Sequence, residues 1–133
     1  MPDFTDLLII DDDPRDRGHL RACIHMVLGY DVIVREIATA KEAIDSVSVN
    51  APQLVFTDHL SLADTAFSTI LKLRGIGYTG PVVVVTGHGD PIKRQQLLAA
   101  GAVAVVDKDD LDSALLARTL AKVRESIEPQ VKH

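Results

Sequence analysis

Five short apolar runs rich in β-branched residues punctuate the chain, at positions 7–10, 32–37, 54–57, 82–86 and 103–106. Each has the length of a strand, and most are continuously apolar rather than alternating, as expected of parallel strands covered on both faces. Between them the apolar positions recur at helical spacing. Positions 14–28 carry Leu20, Ile24, Val27 and Leu28 on one stripe, with Asp13 as N-cap and Pro14 at the first helical position. Thr39-Ala-Lys-Glu42 reads as a capping box opening a helix whose apolar face is Ala43, Ile44 and Val47. Ser61-Leu-Ala-Asp64 resembles a second box, ahead of Phe67, Ile70 and Leu71. Asp90-Pro91 opens a fourth helix that Gly101 can close, and a last helix begins near Asp110 and carries Leu116, Leu120, Val123 and Ile127 until Pro129 stops it.

Strand and helix thus alternate five times. Such an alternation predicts an α/β fold, a (βα)5 doubly wound three-layer sandwich with a parallel sheet in the middle, because crossovers between parallel strands are right-handed. No internal repeat, low-complexity tract or linker interrupts the 133 residues, so a single domain is expected, with a core from about 6 to 128 and a short tail at 129–133. In open sheets of this kind ligands bind outside the carboxyl ends of the strands, where strand order reverses.

Bulk properties narrow the function. The net charge is -5 and the basic residues are scattered, which argues against nucleic-acid binding. No apolar run approaches the roughly 20 residues that span a bilayer, and the N-terminus lacks the pattern of a signal peptide, so no membrane association and a cytoplasmic location are expected. The one cysteine, Cys23, falls on the apolar stripe of the first helix and reads as a buried, inert thiol.

The chemistry gathers at the strand ends. Asp11 and Asp12 follow the first run, Asp58 the third, Thr86 closes the fourth with Gly87 after it, and Lys108 stands just past the fifth. Clustered carboxylates repel one another and need a nearby positive charge. Mg²⁺ accepts hard oxygen ligands and needs only one or two carboxylates when a phosphoryl group is also at hand. Asp58 could both ligate that ion and attack phosphorus, while Lys108 and Thr86 neutralise and orient phosphoryl oxygens and Gly87 lets the backbone approach. Asp13 is left with its capping job.

In the stretches LLIIDDDP, QLVFTD, VVVVTGHGDP and LLAAGAVAVVDK, over essentially the whole chain, the sequence resembles the CheY-like receiver domain of two-component response regulators. The resemblance implies a flavodoxin-like sheet in the order 2-1-3-4-5. It also implies that Asp58 is the phosphoacceptor, that Asp12 binds Mg²⁺ (or Mn²⁺) directly and Asp11 through water, and that the Leu60 backbone carbonyl completes the metal site. Thr86, Gly87, Lys108 and the His59 backbone amide would bind the phosphoryl group. The implied partner is a sensor histidine kinase or phosphotransfer protein, with His19 and His25 on a helix where partner contacts often fall. A homodimer through helix 4, strand 5 and helix 5 is possible on the same pattern. The implied function is a phosphorelay switch that catalyses only its own phosphorylation and dephosphorylation, not a turnover enzyme.

The chain departs from that pattern in several places. Leu62 and Ala66 stand where receivers usually carry proline and glycine after the acceptor, and Lys108 is followed by Asp109 rather than proline. Val105 replaces a Tyr or Phe that in many receivers swings inward with the threonine, so the signal needs another route. Leu60 places an apolar side chain two residues past the acceptor, predicting slow loss of the phosphoryl group that Leu60→Asn should accelerate. A zinc or iron centre at His59 and His88 is disfavoured, since neither has a ligand partner at a recognised spacing. Two other functions compete. A Mg²⁺-dependent aspartyl-phosphate phosphatase lacks its general acid at Leu60, and a pseudo-receiver acting as a non-phosphorylated binding module leaves the acidic set and Lys108 without a role. Nothing after Pro129 resembles an effector domain, so either a stand-alone receiver or one excised from a longer regulator or hybrid kinase is expected.

Overall fold

The computed structural model describes residues 4–58, 65–87 and 91–127. Five strands and five α-helices alternate: β1 (Asp6–Ile10), α1 (Pro14–Leu28), β2 (Ile33–Ile37), α2 (Ala40–Val49), β3 (Leu54–Thr57), α3 (Ala66–Gly75), β4 (Val82–Thr86), α4 (Pro91–Ala100), β5 (Ala104–Asp107) and α5 (Ser113–Ile127). All four strand pairings are parallel, and the sheet order is β2-β1-β3-β4-β5, as the family resemblance implied.

Side-chain alternation along the strands sorts the core into two layers. Leu7, Ile9, Phe56, Val83 and Val85 face the stripes of α1 and α5, where Leu20, Ile24, Leu116, Leu120 and Val123 are buried. Leu8, Ile10, Val55 and Val84 point the other way, toward Ala43 and Val47 of α2, Ile70 and Leu73 of α3 and Leu97 of α4. The central strands are therefore apolar on both faces except at their ends, Asp6, Thr57 and Thr86, while the edge strand β2 keeps only Ile33, Val34 and Ile37 as apolar residues and leaves Ile33 exposed.

Asp13 caps α1 as expected, its side chain accepting from the Arg15 N–H at 2.9 Å, and Thr39 caps α2 by accepting from the Glu42 N–H at 3.2 Å. Gly101, at φ +120°, closes α4. Three expectations need correcting. The cap of α3 is Thr65, which accepts from the Ser68 N–H, rather than a box starting at Ser61, and 61–64 lie outside the described residues. With that start, Ala66, Thr69, Ile70 and Leu73 face inward, whereas Phe67 and Leu71 are about half exposed. The last helix begins at Ser113 rather than near Asp110, because Lys108–Asp110 form a separate 3₁₀ turn and Asp112 accepts from the Leu115 N–H at 2.8 Å. Its final stripe residue, Ile127, is about half exposed. Asp90 and the tail after Ile127 lie outside the described residues.

Candidate functional site

The chain runs from β1 outward to β2 and then returns to β3 on the other side of β1, so the switch point lies between the carboxyl ends of β1 and β3. Ile10 and Thr57 are paired across these strands, which sets the next residues, Asp11 and Asp58, side by side. The ladder continues one step past the strands: the Asp58 N–H donates to the Ile10 carbonyl at 2.9 Å and the Asp11 N–H to the Ile37 carbonyl at 3.0 Å. Both carboxylates are thereby held by backbone, and both residues are buried. Asp12, one residue on, is exposed at the rim. Asp11, Asp12 and Asp58 each present one carboxylate oxygen, and these oxygens lie within 4.8 Å of one another.

Lys108 reaches this group from the end of β5. Its Nζ lies 2.9 Å from Asp58 Oδ2, 3.0 Å from Asp11 Oδ2 and 2.7 Å from Asp16 Oδ2. Burial alone would pull the ammonium's pKa down, but its interactions with the accepting carboxylates of Asp16, Asp58 and Asp11 outweigh it and hold Lys108 above the usual lysine range. Burial pushes the Asp11 carboxyl above the usual range, opposed by the Asp13 N–H, which donates to Asp11 Oδ1 at 2.9 Å, and by Lys108. Thr86 ends β4 in register with Asp107, the neighbour of Lys108, and is half-buried, with the exposed Gly87 following it. His59, Leu60 and His88 lie outside the described residues.

Two residues at this site escaped the sequence reading. Asp16, in the first turn of α1, is the third partner of Lys108, and Arg17 Nη1 donates to the Asp11 carbonyl at 2.6 Å while its Nε donates to Glu36 at 3.3 Å. The signal available was their place in the first turn of α1, the helix that leaves the carboxyl end of β1 where Asp11 and Asp12 stand.

A parallel sheet in this order, with acids from two strand ends closed over by a lysine from a third, defines a doubly wound α/β domain with an anionic, cation-seeking crevice. Comparison with known proteins narrows the class. The profile of the response regulator receiver domain matches residues 7–120. An uncharacterized 14.6 kDa protein from the sodA1 3′ region of Leptolyngbya boryana is 31% identical over 98 residues, which are 72% of each chain. Among solved structures, a two-component response regulator from Clostridium difficile superposes with a TM-score of 0.78 at 22% identity, over 93% of this chain and 99% of that one. The BeF3-activated N-terminal receiver domain of RstA from Klebsiella pneumoniae does so with a TM-score of 0.76 at 23% identity, over 89% of this chain and 97% of that one. At these identities the structural matches carry the fold, and the profile carries the family. The chain belongs to the response regulator receiver domain family. No helix among the described residues is long and apolar enough to cross a membrane.

Proposed function

We propose that the protein is a phosphoryl-accepting signalling switch in which Asp58 takes a phosphoryl group from a phosphohistidine on a sensor kinase or phosphotransfer protein. The observation that carries this reading is the Lys108 ammonium 2.9 Å from the buried Asp58 carboxylate, beside two further acids. Asp58 is a nucleophile that needs no base. One of its oxygens bonds to phosphorus as the phosphorus–nitrogen bond of the donor breaks, and the departing imidazole nitrogen keeps the electron pair. Lys108 stands where charge on the phosphoryl oxygens must be met, and Thr86 and Gly87 flank it from the end of β4.

Three oxygens within 4.8 Å suit a hard divalent cation, so Asp11, Asp12 and Asp58 would hold Mg²⁺ or Mn²⁺. When bound, the ion supplies charge neutralisation for the transferring group. The chain then acts through its covalent state rather than by turnover, in the cytoplasm where such kinases present their phosphohistidines. The α4, β5, α5 face is available for a homodimer.

Acetyl phosphate and Mg²⁺ provide the test, read by intact mass. A gain of one phosphoryl group in the native protein and none in Asp58→Asn is expected. Sustained release of phosphate from an added monoester would instead mark a phosphatase, and an unchanged mass a binding module that works without phosphorylation.

A further inference from the structure

An ammonium group has three N–H donors, and three carboxylates crowd that of Lys108: it donates to Asp16 at 2.7 Å and to Asp58 at 2.9 Å, and Asp11 Oδ2 forms an ion pair with it at 3.0 Å. Asp58 and Asp11 belong to the acceptor and metal set. Asp16 belongs to neither, yet it makes the shortest of the three contacts. A phosphoryl oxygen arriving at Lys108 therefore meets an ammonium already engaged by carboxylates and competes with them for it.

Burial decides which partner yields. The side chains of Asp11 and Asp58 are 7% and 11% exposed and belong to the set that would share the divalent cation, so neither can swing away into water. Asp16 is 40% exposed, and water rehydrates it as it lets go. Next to it lies a cavity of about 30 Å³, lined in part by Asp16, His19, Lys108 and Leu111, large enough to admit a water molecule beside the ion pair.

We infer that Asp16 is a positioning residue that holds Lys108 in reserve, occupying in the resting protein the donor that a phosphoryl oxygen needs. The inference rests on the phosphoacceptor reading above and deepens it. It also supplies a route for the signal. Two polar side chains of α1 tie that helix to the segment after β5: Asp16 to Lys108, and His19, whose Nε2–H donates to the Leu111 carbonyl at 3.0 Å. Loss of the first tie loosens α1 on that segment, in a chain whose Val105 is packed in the opposite layer of the core and has no ring to swing.

The test follows phosphorylation of Asp58 by acetyl phosphate with Mg²⁺, by intact mass over time and across donor concentrations, in the native protein, Asp16→Asn and Asp16→Glu. In this reaction Asp58 bonds to phosphorus and acetate leaves with the electron pair of the broken phosphorus–oxygen bond. The Asn variant should label about fivefold faster at low donor concentration, the worth of a partly exposed ion pair, through a lower half-saturating concentration rather than a higher limiting rate. Glu, which keeps the charge, should return the rate toward native. A merely structural role would shift the melting temperature without that split. Native protein that labels beside an Asn variant no faster than it, or a Glu variant as fast as Asn, overturns the role of Asp16 alone. If no form gains a phosphoryl group on Asp58, the acceptor reading falls and this inference with it.

Discussion

Tyr78 sits at the amino ends of the strands, away from the acidic crevice, and is locked on several sides. Its hydroxyl donates to the Pro52 carbonyl at 3.0 Å, and the Arg74 guanidinium lies 5.9 Å from its ring centre while donating to the Tyr78 and Gly80 carbonyls. Gly80 packs against that ring so closely that a β-carbon there would run into the phenol. Gly80→Ala should therefore cost about 1–3 kcal/mol, seen as a lower denaturant midpoint with little change in slope. Burial also pushes the phenol up to about 12. A phenol raised above its unfolded value of roughly 10 contributes stability that is complete below that pH and is lost as pH climbs through the folded value. Stability should fall by about 2–3 kcal/mol from this group between pH 10 and 12, and Tyr78→Phe should remove that part of the slope in denaturant titrations. Asp11, Asp12, Asp58 and Lys108 were legible in the sequence because each follows an apolar run and strand ends converge. Asp16 was not, since its partner lies 92 residues away and only the packing of α1 against the β5 end brings them together.

Among the elements, the strands were the more readable because their apolar runs are continuous and β-branched, so each run fell within one residue of its observed strand. Helix starts depended on which of several polar residues does the capping. Thr39 and Glu42 had no rival, whereas Ser61 competed with Thr65, and the hydroxyl that reaches the Ser68 N–H at 3.1 Å is Thr65. That displacement changes which face of α3 is buried and leaves Phe67 and Leu71 at the surface beside Gln96, Ala99 and Ala100 of α4. Thr65→Ala should lower stability by about 1 kcal/mol, measured by chemical denaturation. The edge strand relies on polar contacts in place of core burial: Arg35 Nε and Nη2 each reach an Asp6 oxygen at 3.0 Å, and its Nη1 donates to Ser46 of α2 at 2.9 Å. One forked side chain thus joins β1, β2 and α2. Arg35→Lys keeps the charge but not the fork, and a loss of about 1 kcal/mol is expected, with faster amide exchange along β2.

For the whole molecule, the fold gathers mutual repulsion at one end of the sheet and leaves it incompletely neutralised. Three carboxylates, Asp11, Asp16 and Asp58, contact the Lys108 ammonium and a fourth, Asp12, lies beside Asp11 and Asp58, in a chain that already carries a net charge of -5. The unfolded chain disperses these acids, so a divalent cation held by Asp11, Asp12 and Asp58, as proposed, would bind the folded state preferentially and stabilise it. Mg²⁺ at ten times its dissociation constant should add about 1.4 kcal/mol, or roughly 4 °C in melting temperature for a domain of this size. Sodium chloride at matched ionic strength separates this from screening, because screening acts on all the charges whereas binding requires the cluster. Asp12 is the residue to remove. It is exposed, so Asp12→Ala should cost no packing and should raise the metal-free melting temperature slightly by relieving repulsion, while abolishing most of the Mg²⁺ shift. An equal shift from sodium chloride, or a full Mg²⁺ shift in Asp12→Ala, would show that the three acids do not act together on one ion.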